Sequence, residues 1–592
     1  MRLRNTIIWL LCIVLAPILF FLAGSQLGSI NSKRQQMKLI SNEPLKNAPP
    51  SLAFATVAMG AFRGLVVDVL WMRADRLKDE GQFFDARQLA EWITVLQPRF
   101  PAVWQFQAWN MSYNIAVAIP ATQPEERWRW VRNGYELLRD QGLELNPKSI
   151  GIYQELARIF HDKIGSVRDD VHKYYKLQLA LAMEPLLGPA DNQYFQALAG
   201  APASWDEIIR DPCAADLVSS LKAADGAFAD DKNFVNNYLT LRQYPARFKP
   251  AAFNTIDAYR NTKTLDKLDI FARAYYLRHT WKLEPRLMQQ LNQKFGPVDF
   301  TDPNTHLPLD WRHPQSHALY WAMRGLEVAH KEKFSIDEIN TDRMANYALQ
   351  ELFRGGKIFI YDVPPQAPSD TTSQTPQTGV EKEIFLRPDL RMFEPYNQSM
   401  LARIDKYEYL KEERTGSLES LKNSHRNMLK NALFSFYQAG HRDYAEKIYR
   451  QIAQLYPSED TKAPFTIYVK RRLVEELRNI TITNAEEIVL TMLRESYFRY
   501  AMRDDEMAQS LEQMAKEIHD TYEAAYPDDQ RIPLPGLKLS RYMALIDFLN
   551  DQQYPLNMRL NLRARIRIER PDLAEQLERQ EEEMLKQQSQ SP

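Results

Sequence analysis

Residues 81–98 read GQFFDARQLAEWITVLQP, and residues 440–457 read GHRDYAEKIYRQIAQLYP. Each stretch begins with a glycine, has an alanine five residues later and ends with a proline twelve residues after the alanine. Glycine permits a tight turn, and alanine lets two helices pack closely. Proline cannot continue a helix and restrains the residue before it, so it ends the second helix. The shared spacing predicts a helix–turn–helix unit that is repeated along the chain.

The composition around these stretches is typical of a helical globular protein. The 592 residues are 45% hydrophobic and 26% charged, and only 20 are glycine, so helix is favoured along most of the chain. A net charge of −1 argues against a nucleic-acid partner, which requires a basic surface. Two cysteines, Cys12 and Cys213, exclude a disulfide framework and a cysteine-based zinc site. We expect Cys213 to be a small buried apolar residue.

The register of the first unit resembles that of the tetratricopeptide repeat (TPR) family, in which each repeat is a 34-residue antiparallel helix pair. Counted from Val67, the family's small residue, turn glycine, aromatic residue and helix-B alanine fall on Ala74, Gly81, Phe83 and Ala86. The resemblance implies an all-α fold, a TPR-like α-solenoid of antiparallel helix pairs.

Two further units match this register less completely than the first unit does, and one unit near the C-terminus matches it more completely. Degenerate units start at Pro101 and near Ile150. The strongest unit starts at Arg426 and places Phe436, Gly440, Ala445, Tyr449 and Pro457 in the family register. The chain as a whole resembles bacterial membrane-anchored repeat proteins.

The resemblance also implies that helix-A side chains line a groove that binds protein partners. Aromatic residues interleaved with polar ones suit such an interface, because Trp, Tyr and Arg dominate binding energy. The candidate partner-binding residues are Trp71, Asp75, Lys78, Gln105, Trp109, Tyr113, Gln154, Arg158, Asn427, Lys430, Phe434 and Tyr437. The resulting hypothesis is a scaffold for complex assembly, with no catalytic residue, cofactor, metal or small-molecule substrate.

An apolar run from Ile7 to Gly24 precedes the repeats. Crossing the bilayer core takes about 20 helical residues, whereas the apolar region of a cleaved signal peptide has about 7–15. We therefore expect an uncleaved N-terminal transmembrane helix rather than cleavage near Ala23-Gly24-Ser25. A short basic N-terminus favours an extracytoplasmic, periplasmic body, but basic residues flank both ends of the run, and the charge rule leaves the opposite orientation open.

The pattern along the chain predicts seven segments. They are a membrane anchor at 1–30, a linker and entry helix at 31–64, TPR-like repeats at 65–187, an α-helical middle region at 188–355, a β-ribbon with a disordered loop at 356–387, C-terminal TPR-like repeats at 388–550 and a charged helical tail at 551–592. The ribbon is predicted from two short β-like runs, Lys357–Tyr361 and Glu383–Leu386, which flank a Pro-, Ser- and Thr-rich loop. A second apolar stretch, Leu52–Met72, carries Arg63 and Asp68 and is expected to be a buried helix.

Histidines and acids offer the main alternative, an enzyme or a metal- or ligand-binding protein with a site in the middle region. His306, Asp310, His313 and His317 lie close together in sequence, as zinc ligands can. Yet Pro314 is expected to start a helix, which makes His313 its cap, and Trp311 is expected to pack in the core. Polar residues around Gly165, between His161 and His172, are typical of a turn. No zinc-protease, P-loop, Rossmann or nucleophile-elbow motif is present.

Overall fold

The computed structural model describes most of the chain after residue 62. The described residues are 63–300, 302, 304–329, 336–363, 381–408, 415–438, 441–469, 471, 482–525, 534–551, 554–575 and 577–579, together with ten residues between Leu15 and Met37. The predicted anchor lies almost wholly outside them, as do Gly440 and residues 364–380 of the predicted loop. Within the described part of the chain, no helix is both long and apolar enough to cross a membrane.

The described residues are mostly helical, which confirms the all-α class. They divide into two compact units, residues 1–352 and residues 353–592. The helices of the first unit are α1 Arg63–Asp79, α2 Phe83–Leu96, α3 Pro101–Trp109, α4 Pro124–Glu136, α5 Ile150–Arg158, α6 His172–Leu187, α7 Asn192–Gly200, α8 Trp205–Ile209, α9 Pro212–Ala224, α10 Asp231–Gln243, α11 Pro250–Ala258, α12 Lys263–Tyr276, α13 Pro285–Phe295, α14 Pro314–Val328 and α15 Ile336–Gly355, the last of which runs across the boundary.

Proline and glycine set many of these helix ends. Six helices of the first unit begin with proline at the first helical position, where its missing N–H costs nothing and its fixed φ suits a helix. Gly81 has φ of +77° in the turn between α1 and α2, a conformation that favours glycine. The turn predicted at Gly81 is therefore confirmed.

Four helices of the first unit pass into π-helical turns, in which the hydrogen bonds run from residue i to i+5. The turns are Asn110–Ile115 after α3, Leu137–Gly142 after α4, Ile159–Ile164 after α5 and Leu277–Trp281 after α12. Helical segments Ala116–Ala118 and Leu143–Leu145 follow the first two. Such turns are rare and frequently mark functional sites.

Long-range contacts join parts of the first unit that are distant in sequence. Helix α5 packs against α14, and a Cβ added at Gly325 of α14 would lie 2.9 Å from the Tyr153 Cβ of α5. Pro98 supplies a second junction, because its carbonyl accepts hydrogen bonds from Trp104 Nε1 at 2.8 Å and Asn146 Nδ2 at 3.0 Å. The closing proline of the first predicted unit thus ties α3 to the end of the α4 segment.

The second unit begins with the predicted ribbon. Strand β1, Lys357–Val363, pairs antiparallel with β2, Glu381–Arg387, in a register that sets Ile360 opposite Ile384. The helices that follow are α16 Phe393–Glu408, α17 Thr415–Gln438, α18 Arg442–Leu455, α19 Ile482–Ala501, α20 Asp505–Ala525, α21 Leu537–Asn550 and α22 Leu556–Glu569. Buried residues of α19 to α22, among them Leu493, Phe498 and Leu562, form one apolar core.

The structure bears on two expectations about burial, and one of them needs correction. Cys213 is exposed, because it follows Pro212 in the first turn of α9 and points away from the buried face that contains Leu217 and Leu221. Helix α1 is buried on only one face: Val67, Leu70 and Ala74 are buried, whereas Leu65, Val69 and Met72 are exposed. The helix expected to be buried is therefore buried along one face in its described part, residues 63–72.

Candidate functional site

Five of the predicted partner-binding residues lie together on α3, its π-helical turn and α5. We call Gln105, Trp109, Tyr113, Gln154 and Arg158 the aromatic surface; all five are partly exposed. The rings of Trp109 and Tyr113 stack with centroids 6.4 Å apart. The Arg158 guanidinium lies 4.8 Å from the Tyr113 ring centroid, and the Tyr113 hydroxyl donates to the Arg158 carbonyl at 3.3 Å. Two aromatic rings and a cation thus share one patch.

A glycine allows α3 and α5 to approach one another at this surface. A Cβ added at Gly151 would lie 2.7 Å from Gln105 Nε2, so the glutamine side chain occupies space that any larger residue would reduce. Glu155, buried under the surface, accepts two hydrogen bonds from Arg158 at 2.8 and 2.6 Å. Burial raises the pKa of the Tyr113 phenol, which keeps it a neutral donor. The hydrogen bonds from Arg158 to Glu155 therefore fix the position of the arginine in the aromatic surface.

The three candidates on α1 are engaged within the chain. Trp71 packs against Phe100 and Phe106, with ring centroids 5.8 and 5.2 Å away. Lys78 donates to Asp75 at 2.7 Å on the same helix. The Trp71 contacts join α1 to α3, so this tryptophan contributes to packing between helices as well as to the surface.

The remaining four candidates lie on α17 in the second unit. Asn427 is exposed, whereas Lys430, Phe434 and Tyr437 are partly buried. The Tyr437 hydroxyl donates to Glu517 at 3.3 Å, and its ring lies under the Arg442 guanidinium at 5.1 Å. Among these four candidates, Tyr437 is thus engaged by contacts within the second unit.

A buried ion cluster lies next to the aromatic surface, and sequence reasoning missed it. Asp169 accepts from Arg127 at 3.2 Å and from Lys163 at 2.5 Å, and all three side chains are at most 7% exposed. Burial alone would raise the pKa of Asp169, but the two cations hold it below its usual value. Lys163, on the π-helical turn after α5, also lies 5.6 Å from the Tyr113 ring. The polar residues near Gly165 thus form an interior ion cluster in addition to a turn.

Lys176 is a second buried cation near this turn. It donates to the Ser166 carbonyl at 2.9 Å, and its Nζ lies 2.8 Å from His172 Nδ1. Burial lowers the pKa of Lys176 to about 8 and that of His172 to about 4. A neutral His172 accepts from Lys176, which gives the ammonium a partner without a second charge.

The histidine-containing stretch at 306–317 does not converge on one point. The Nδ1 atom of His313 accepts from the Gln315 N–H at 3.1 Å and caps α14, as predicted, and Trp311 is fully buried, also as predicted. The Nε2–H of His317 donates to the Trp311 carbonyl at 2.9 Å, and the ring stacks on Phe160. His306 contacts the Gly296 carbonyl. The ring nitrogens named here therefore hydrogen-bond to backbone groups.

A polar cavity of about 600 Å³ opens between α16 and α18 in the second unit. Its lining includes Glu394, Lys447 and Arg450, and Glu394 accepts from Lys447 at 2.9 Å and from Tyr444 at 2.8 Å. Asn397, which also lines the cavity, is largely buried and accepts from His425 at 2.8 Å. The charges that line this cavity are largely satisfied within the chain.

The comparisons with known proteins add no family to these observations: no protein-family model matches the chain, and neither does any curated protein sequence.

Proposed function

We propose that this protein is a membrane-anchored scaffold that assembles a protein complex through TPR-like helix pairs. The observation that carries the proposal is the aromatic surface, where Trp109, Tyr113 and Arg158 meet on two neighbouring helices. These three residue types supply most hot spots in protein interfaces. Partly exposed rings on a preorganised support lose little conformational freedom on binding.

The order of helices in the first unit agrees with this proposal. Helices α1 and α2 pack as a pair, and α3 packs on α5, as the first helices of successive repeats do in a solenoid. In that arrangement the first helices line the binding face, and the aromatic surface belongs to two of them. The apolar run at 7–24 in the sequence would hold the scaffold at a membrane, with its body on the extracytoplasmic side.

The test is affinity purification of the full-length protein in mild detergent, followed by mass spectrometry of the proteins that co-purify. We expect a stoichiometric membrane or envelope protein, and we expect the W109A/Y113A variant to lose it while retaining wild-type helicity. The matched control is W130A, because Trp130 is also partly exposed but packs against Phe84 and Arg87 away from the aromatic surface. Equal recovery of the partner by all three proteins would remove the aromatic surface from the interface.

A further inference from the structure

Helix α20 of the second unit brings three potential metal ligands together. One ring nitrogen of His519 and one carboxylate oxygen each from Asp520 and Glu523 lie within 4.8 Å of one another. No other group of three or more His, Cys, Asp or Glu side chains in the described residues is this compact. None of the three residues is among the partner-binding residues on which the proposed function rests.

The histidine of this cluster has a free lone pair in a buried position. His519 is 4% exposed, and its Nε2 lies 3.1 Å from the Pro535 carbonyl oxygen. Because a carbonyl can only accept, Nε2 carries a proton, and in the neutral imidazole Nδ1 keeps its lone pair. That Nδ1 atom is buried without a hydrogen-bond partner. Metal-binding histidines commonly show this arrangement, with one nitrogen donating to a backbone carbonyl and the other facing the ion.

The distances around Nδ1 suit a small divalent ion. The Asp520 Oδ1 atom lies 3.6 Å from His519 Nδ1. Zinc holds nitrogen and oxygen ligands at about 2.0–2.2 Å, so two ligands of a tetrahedral site lie roughly 3.4 Å apart. Glu523 follows one helical turn after His519. Its Oε1 atom lies 3.7 Å from His519 Nε2, and because the glutamate side chain is 57% exposed it has room to turn toward Nδ1. An ion between these groups would satisfy the buried lone pair, which otherwise remains unpaired at a cost in stability.

The two carboxylates also differ from the other acids of α20. Glu512 is paired with Arg541 and Arg570, and Glu517 with Arg442. Asp520 and Glu523 are each 57% exposed, and among the described residues neither forms an ion pair with a lysine or an arginine. Their negative charge is therefore available to a cation, and their exposure leaves room for water to complete its coordination.

We propose that His519, Asp520 and Glu523 bind a divalent transition-metal ion, with zinc as the preferred ion. One imidazole and two carboxylates favour zinc over calcium or magnesium, which take oxygen ligands. Because His519 also contacts Pro535, ahead of α21, metal binding stabilises the folded second unit.

The test is isothermal titration calorimetry of zinc into the metal-free full-length protein in mild detergent. We expect a site with micromolar affinity that the D520N/E523Q variant weakens by on the order of tenfold or more. A second variant, H519Q, retains a side-chain N–H for the Pro535 carbonyl but removes the Nδ1 ligand, and should lose the site. Circular dichroism verifies that both variants are folded.

The matched control is E459Q/D460N, which removes two exposed acids that have no histidine beside them among the described residues. It should bind zinc as the wild type does. In addition, cobalt bound to the wild type should give visible absorption bands that H519Q lacks. Zinc binding that is equal in the wild type and D520N/E523Q, or absent from the wild type, would overturn the proposal.

Discussion

Asp169 is a single carboxylate that compensates two buried cations, Arg127 and Lys163. Both cations are shielded from water. The Tyr175 hydroxyl also donates a hydrogen bond to Asp169 at 3.4 Å. A buried pair of this kind contributes little net stability compared with an apolar replacement. Removing one partner, however, leaves an uncompensated charge inside the protein. Replacing Asp169 by a neutral residue should therefore destabilise the folded protein.

The D169N variant should lose about 3–5 kcal/mol of unfolding free energy, because Arg127 and Lys163 stay buried without a counter-charge. The control is D162N, whose partner Arg168 is 80% exposed and whose loss should cost less than about 1 kcal/mol. Urea unfolding followed by tryptophan fluorescence measures both, since all 11 tryptophans precede residue 322 and report on the first unit. Equal costs for the two variants would contradict the prediction.

His317 should make the first unit sensitive to acid. Burial lowers its pKa from the usual 6.5 to about 4. The unfolded chain then binds a proton below pH 6.5 that the folded protein does not bind until about pH 4. Its contribution to stability is therefore complete above pH 6.5 and is lost as pH falls toward 4.

The H317Q variant tests this pH dependence, because glutamine can still donate to the Trp311 carbonyl but does not titrate. Between pH 6.5 and 4 the slope of unfolding free energy against pH should fall by roughly 1 kcal/mol per unit relative to the wild type. Urea unfolding by tryptophan fluorescence at pH 7.5, 5.5 and 4.5 gives the slope. An unchanged slope in H317Q would assign the acid sensitivity to other groups.

At the scale of helices, α4 approaches α3 and its π-helical turn closely at Gly134. A Cβ at Gly134 would lie 2.9 Å from the Ala108 carbonyl oxygen and 2.1 Å from the Ser112 Oγ. The serine can rotate away, but the carbonyl belongs to a helix backbone and cannot. Gly134 is thus required by packing between two helices rather than by its own backbone conformation.

The G134A variant should lose about 1–3 kcal/mol of stability through overpacking. At Gly200, in the last turn of α7, a Cβ would meet nothing within 4 Å, so G200A should be neutral or slightly stabilising. The double variant S112A/G134A should recover only part of the loss, because the Ala108 carbonyl contact remains. Full recovery would show that the hydroxyl alone causes the clash. Thermal unfolding followed by tryptophan fluorescence compares the variants.

Helix positions could be predicted from the sequence where proline, glycine and apolar spacing mark them. The start of α14 at Pro314 and the turn at Gly81 were predicted. The π-helical turns were not, since no residue type signals a shift to i+5 hydrogen bonds. The Asp169 cluster was also missed, because Arg127 lies 42 residues away and only the packing of α4 brings it near.

At the scale of the whole molecule, sidedness decides which partners the proposed scaffold can reach. A short basic N-terminus favours an extracytoplasmic body. Basic residues flank both ends of the apolar run, however, so the charge rule leaves both orientations open. The structure offers an independent reporter, because Cys213 is an exposed free thiol on the first unit. The other cysteine, Cys12, lies within the apolar run of the sequence and can be replaced by serine.

A membrane-impermeant maleimide added to intact spheroplasts that express the C12S variant should therefore label Cys213. Labelling requires that the body lie outside the cytoplasmic membrane, since the reagent cannot cross the bilayer. The C12S/C213S variant should remain unlabelled, which assigns the signal to this thiol. Labelling that appears only after permeabilisation with detergent would place the body in the cytoplasm. In that case the anchor would run in the opposite direction, and the partner of the aromatic surface would have to be sought among cytoplasmic proteins.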